Sequence, residues 1–144
     1  MNRDSSQQPH ERLDIWRDAM TLLESVYRYT ATLPDSERFG LTAQIRRASV
    51  SVPSNIAEGA ARRSTADYLR FLSIARGSLS ELDTQIQISA RLGLALADRE
   101  LYELIDRTFA RLNALIRTLD DKTRAVRDEP APYQIPNIES QIPC

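Results

Sequence analysis

Arg38, Arg46, Arg47, Arg62, Arg63, Arg70 and Arg76 crowd into one stretch of this chain, set against only Glu58 and Asp67, a local balance of +5. A planar guanidinium donates two parallel hydrogen bonds and so suits phosphate. The block is therefore a candidate contact for nucleic acid, one that would hold phosphates without reading sequence. Residues 1–37 carry a balance of −3 and residues 77–129 one of −2, and Glu139 adds the last −1. The net charge of −1 and the pI of about 5.9 thus conceal a basic segment. Only Lys122 is a lysine, so the positive charge is almost entirely guanidinium. These arginines do not share one face of a single helix, and a continuous basic patch calls for several subunits.

A second pattern runs through the same segment. Arg47, Ser51, Asn55, Glu58 and Arg62 step by four, four, three and four, which places them on one face of a helix. Glu58 and Arg62 form an i,i+4 pair of the favourable orientation. Three readings stay open for this stripe: an ordinary solvent face, a polar network between helices or subunits, and a nucleic-acid contact. Gly77 speaks for the network, since a mid-helix glycine costs about 1 kcal/mol against alanine and close backbone approach would justify it.

Other chemistry finds little footing. His10 is the only histidine and sits in a polar leader, which argues against a Ser-His-Asp triad or a histidine-based metal site. No glycine-rich phosphate loop occurs, and Cys144 has no second cysteine to share a metal or a disulfide. No nucleophile–base pair can be named, so the expectation is a protein without enzymatic activity, cofactor or small-molecule substrate. The absence of an apolar run of about 18 residues argues against a membrane span. The sequence MNRDSSQQPHER has no hydrophobic segment, so the expected location is cytoplasmic.

The elements that must carry these residues read as helices. The chain has 144 residues, 42% of them hydrophobic and 6% aromatic, with 4 glycines, a balance that favours helices over sheets. A first helix is expected from Asp14, as N-cap, to Thr32, with Ile15, Ala19, Leu22 and Val26 on one face. A second is expected from Thr42, as N-cap, to Arg62, with Ile45, Ala48, Val52, Ile56 and Gly59 as its small or apolar face. Pro53 lies inside it and should kink it without ending it, because the stripe keeps phase across the proline. A third begins at Ser64, where S-x-x-D with Asp67 resembles a capping box, and runs to about Leu92 ahead of Gly93. A fourth spans Asp98 to about Arg127. Short loops between long amphipathic helices imply an all-α, antiparallel up-down-up-down four-helix bundle. The organisation expected is a flexible leader (1–12), the bundle (13–128) and an extended, proline-rich tail (129–144), either disordered or laid on a neighbouring surface.

Two long motifs add a resemblance. The run ERFGLTAQIRRASVSVPSNIAEGAARRS, residues 37–64, is followed by YLRFLSIARGSLSELDTQIQIS, residues 68–89. Together they resemble the four-helix-bundle family of proteins encoded in 23S rRNA intervening sequences, from near Leu13 onward. The resemblance implies an antiparallel bundle assembled as a homopentameric ring. It also implies kinship with the accessory variability protein of diversity-generating retroelements, where a basic surface engages reverse transcriptase and nucleic acid. The function expected is thus an oligomeric scaffold that binds RNA through the arginines of residues 38–76, with RNA or a reverse transcriptase as partner. The alternative is a purely structural scaffold, in which Ser51, Asn55, Glu58 and Gly77 serve bundle and subunit contacts.

Overall fold

A computed structural model describes residues 8–128; the tail expected over 129–144 and most of the expected leader lie outside the described residues. Four α-helices form the described chain: α1 (Asp14–Thr30), α2 (Leu41–Ala60), α3 (Thr65–Arg91) and α4 (Arg99–Asp128). Each packs on two neighbours: α1 lies against α2 and α4, and α3 against α2 and α4. This is the antiparallel four-helix bundle that the loop lengths imply. The core is filled along the expected stripes, with Leu22, Ile45, Ile56, Leu72, Leu79, Ile86, Ile105 and Leu112 wholly or almost wholly buried. Burial of such side chains is the main force holding the helices together, at roughly 1.5–3 kcal/mol for each large aliphatic group.

Two helix starts differ from the sequence reading. Asp14 is the first residue of α1, and Leu13 occupies the N-cap without a side-chain hydrogen bond. Asp14 acts instead as a first-turn acid, 3.9 Å from Arg17. In α2 the N-cap is Gly40, not Thr42. The missing side-chain acceptor is supplied from upstream, where Glu37 Oε2 accepts from the Leu41 N–H at 3.1 Å. A carboxylate at that position also suits the positive end of the helix dipole.

Other caps form where the residue types place them, although at Ser64 only the hydroxyl half of the expected capping box is made. Ser64 caps α3, its hydroxyl accepting from the Asp67 N–H at 3.1 Å. Gly93 takes φ +69° just past α3. Its N–H donates to Ala90 O, and the Leu94 N–H donates to Ser89 O, both at 3.0 Å. That pair of bonds is a Schellman closure, and it needs a residue tolerant of the left-handed region. Asp98 Oδ1 accepts from the Leu101 N–H at 2.9 Å and so opens α4. Helix α2 runs on through the buried Pro53 as one element.

Residues before α1 take part as well. Pro9–Arg12 form a single 3-10 turn that packs on α1 and α2. His10 there sets its ring 5.0 Å from Trp16, edge to face.

Candidate functional site

Helices α2 and α3 share the most extensive contact in the bundle, and small residues make it so. At Gly59 an added Cβ would come within 2.9 Å of both Phe71 Cβ and a Tyr68 ring carbon. Further along, Ser51 Oγ lies 2.8 Å from Ser78 Oγ. Asn55 Nδ2 donates to the Ser51 carbonyl at 2.8 Å and to Ser51 Oγ at 2.9 Å. Ser51 thus accepts from Asn55 while its own proton is free to point at Ser78. One turn on, Glu58 holds Arg62 at 2.9 Å. The stripe Arg47–Ser51–Asn55–Glu58–Arg62 therefore lies along the α3 side of α2, and Arg47 stands exposed at its far end.

Within the bundle Gly77 makes no close approach. A Cβ built there meets no atom within 4 Å, so the tight helix–helix approach belongs to Gly59. Gly77 instead lies on the outer face of α3, between the part-exposed Ile74 and Ile88. Ile74, Gly77, Glu81, Thr84 and Ile88 recur at spacings of three and four along that face.

The arginines divide into separate groups. At the corner where α1 meets α2, Arg46 Nε donates to Thr30 Oγ1 at 2.8 Å, and its guanidinium lies 4.6 Å from the Tyr27 ring centre. Arg38 sits in the preceding loop, 5.3 Å from the ring centre of Phe39. At the opposite end of α2, Arg62 and Arg70 flank Phe71 at 4.8 and 4.6 Å, with Arg63 exposed beside them. Fourteen residues of helical rise, about 21 Å, separate Arg46 from Ala60, and Arg62 follows just past the helix end. Arg76 points the other way, donating to Asn113 Oδ1 of α4 at 3.3 Å. Only Arg62 and Arg70 of the group have a carboxylate partner among the described residues, the latter at a loose 3.9 Å from Asp67.

One polar centre has no counterpart in the sequence reading. Asp18 of α1 is 8% exposed and lies between two arginines of α4, Arg111 at 2.9 Å and Arg107 at 3.7 Å. The signal was present: Asp18 falls three after Ile15 and four before Leu22, on the buried stripe. Arg107 and Arg111 are one helical turn apart, so both reach the same carboxylate. Two tyrosines are also perturbed. Burial pushes the Tyr29 phenol up, opposed by the polar influence of the Ser89 side chain and aided by Tyr102, and burial alone raises Tyr68. The Tyr29 hydroxyl donates to the Ala95 carbonyl at 3.3 Å and so ties α1 to the α3–α4 connection.

Two clefts open at the same end of the bundle. One of about 270 Å3 is lined by Arg28, Tyr29, Asp98 and Glu100, and another of about 220 Å3 by Arg38 and Arg46. Among the described residues no cluster of His, Cys, Asp and Glu is fit to hold a metal, and no helix is long and apolar enough to cross a membrane.

Fold and site together define an all-helical bundle whose α2–α3 half carries the arginine block and a polar seam. The chain belongs to the family described as 23S rRNA-intervening sequence protein, whose model matches residues 11–117. That span takes in all of α1 to α3 and more than half of α4. No curated protein matches the chain at a significant level of sequence similarity.

Proposed function

We propose that this chain acts by binding and not by catalysis, as a self-associating helical scaffold that holds RNA through the arginines of residues 38–76. One observation carries the RNA part. Arg38, Arg46, Arg47, Arg63 and Arg76 have no carboxylate partner among the described residues, so their charge is not neutralised within the bundle. Assembly would bring separated groups of arginines from different copies together, which one monomer cannot do. Self-association draws its support from the outer face of α3, where Ile74 and Ile88 are 43% and 40% exposed on either side of Gly77. The two isoleucines stand two heptads apart and offer a neighbouring subunit two apolar contacts, which the homopentamer implied by the resemblance would use five times over.

The family description names an intervening sequence of 23S rRNA, which makes structured rRNA fragments the first probe. Binding should fall steeply from about 50 to 200 mM salt if several phosphates are engaged. No binding at the low-salt end would rule the RNA reading out. Sedimentation should give a species several times heavier than 16.3 kDa. A monomer at micromolar concentration would remove the assembly reading.

A purely structural scaffold is favoured by a different observation. Ser51, Asn55 and Ser78 satisfy one another, while Arg46 and Arg76 tie α2 to α1 and α3 to α4. Arg47→Ala separates the two readings. A changed mass marks Arg47 as a subunit contact, and a lowered RNA affinity at unchanged mass marks it as a phosphate contact.

A further inference from the structure

Phe39 is 86% exposed, the most exposed of the large apolar side chains among the described residues. It stands on the loop between α1 and α2 with the Arg38 guanidinium 5.3 Å from its ring centre. Beside this loop lies the cleft of about 220 Å3, lined by Arg38, Arg46, Thr30, Thr42, Pro34 and Asp35. Arg46 is fixed in that cleft from two directions, by Thr30 Oγ1 at 2.8 Å and by the Tyr27 ring at 4.6 Å. Neither Arg38 nor Arg46 has a carboxylate partner among the described residues. Glu37, the other nearby acid, is bound to the Leu41 N–H.

We propose that this corner is a single-stranded RNA subsite, with one base stacked on Phe39 and the adjoining phosphate held in the cleft by Arg38 and Arg46. The assignment rests on the RNA reading above and narrows it to a place. A lone aromatic ring flanked by guanidinium is the pairing that receives unstacked bases, because every base offers a π-face and every linkage a phosphate. Duplex RNA offers neither a free base face nor a splayed backbone, so the corner selects loops and single strands. A protein partner would be better matched by a contiguous apolar patch. Phe39 is bordered by Arg38 and Gly40, and the exposed Leu92 and Leu96 sit on the separate α3–α4 connection. Asp35 lines the same cleft and offsets part of its charge. Its removal should therefore tighten binding, a sign that packing alone would not give.

The test uses the full chain and a fluorescent oligouridine strand of about ten nucleotides, within the usual site sizes for single strands, read by anisotropy against a hairpin duplex. Phe39→Ala should weaken the single strand by about 5- to 150-fold, the range of one lost base stack, and Phe39→Trp should keep it. Arg46→Ala should weaken it as well, and Asp35→Asn should strengthen it. Phe39 is so exposed that its removal leaves the core intact, which keeps the test clear of folding failure. Wild-type binding that Phe39→Ala and Arg46→Ala leave unchanged overturns this subsite while the broader RNA reading stands. Absence of wild-type binding to both strand and hairpin overturns both. If Phe39→Ala shifts the assembly mass and spares RNA affinity, the corner is a protein contact and the proposal fails.

Discussion

Ser51 Oγ and Ser78 Oγ lie 2.8 Å apart across the α2–α3 contact, with Asn55 donating to the same Ser51 oxygen. The arrangement is local on one side and non-local on the other. Asn55 and Ser51 are one turn apart in α2, whereas Ser78 arrives from a different helix. Only the second link reports on tertiary structure.

Ser51→Ala should therefore destabilise the bundle by about 0.5–1.5 kcal/mol, because it leaves the half-buried Ser78 hydroxyl without its partner. Ser51→Ala combined with Ser78→Ala should cost less than the sum of the two single changes. Urea unfolding of the four proteins in this cycle measures the coupling. Strict additivity would mean that water, not Ser51, satisfies Ser78.

The Asp18 centre should respond asymmetrically. Arg107 and Arg111 are about half exposed and would be solvated without Asp18, so Asp18→Ala is expected to cost only about 1 kcal/mol. Removing both arginines is the more damaging change, since it strands a carboxylate that is only 10% exposed. The double variant Arg107→Ala, Arg111→Ala should thus lose more than Asp18→Ala, by denaturant midpoint. Equal losses would show that Asp18 is hydrated well enough to stand alone.

Helix positions and stripes were legible from sequence because burial imposes a period of 3.6 on residue type. Ile45, Ala48, Val52, Ile56 and Gly59 lie buried as spaced, and the phase across Pro53 correctly argued for one helix. Capping was legible at Ser64 and Gly93, where the residue types are diagnostic. It was misread at Asp14 and Thr42, because the acceptor for α2 comes from Glu37, upstream of the N-cap. Asp18, Gln85 and Ser89 stayed hidden for another reason: polar side chains sat at buried positions of the stripes. The destinations of the arginines were not legible at all. Arg46 turns to α1 and Arg76 to α4, a choice made by which helix packs across from each.

Three glycines should give two signs. Gly59→Ala gains about 1 kcal/mol of helix propensity but forces a Cβ to within 2.9 Å of Phe71 Cβ, an atom fixed to its own helix backbone. Overpacking of this kind costs about 1–3 kcal/mol, and the net effect should be a loss. Gly93→Ala should lose about 1 kcal/mol, because φ +69° strains any residue with a Cβ. Gly77→Ala meets open space and should gain up to about 1 kcal/mol. Thermal unfolding of the three variants checks the order. A Gly77→Ala protein that is stable but lighter in sedimentation would place Gly77 inside a subunit contact.

One buried phenol, Tyr29, and one half-buried, Tyr68, give stability an alkaline limit. Both Tyr29 and Tyr68 have folded-state values raised above the ordinary 10.0, with burial the leading cause. Above pH 10.0 the unfolded chain releases these protons first, so it binds fewer than the folded chain. Stability then falls as pH rises, continuing until the folded phenols ionise; below 10.0 the two groups contribute no slope. Urea midpoints followed from neutral pH to beyond 10.0 should stay level and then drop. Tyr68→Phe should flatten part of that drop with little change at neutral pH. Tyr29→Phe should flatten it too, but from a lower start, having lost the bond to the Ala95 carbonyl. An alkaline drop untouched in both variants would place its origin in other groups.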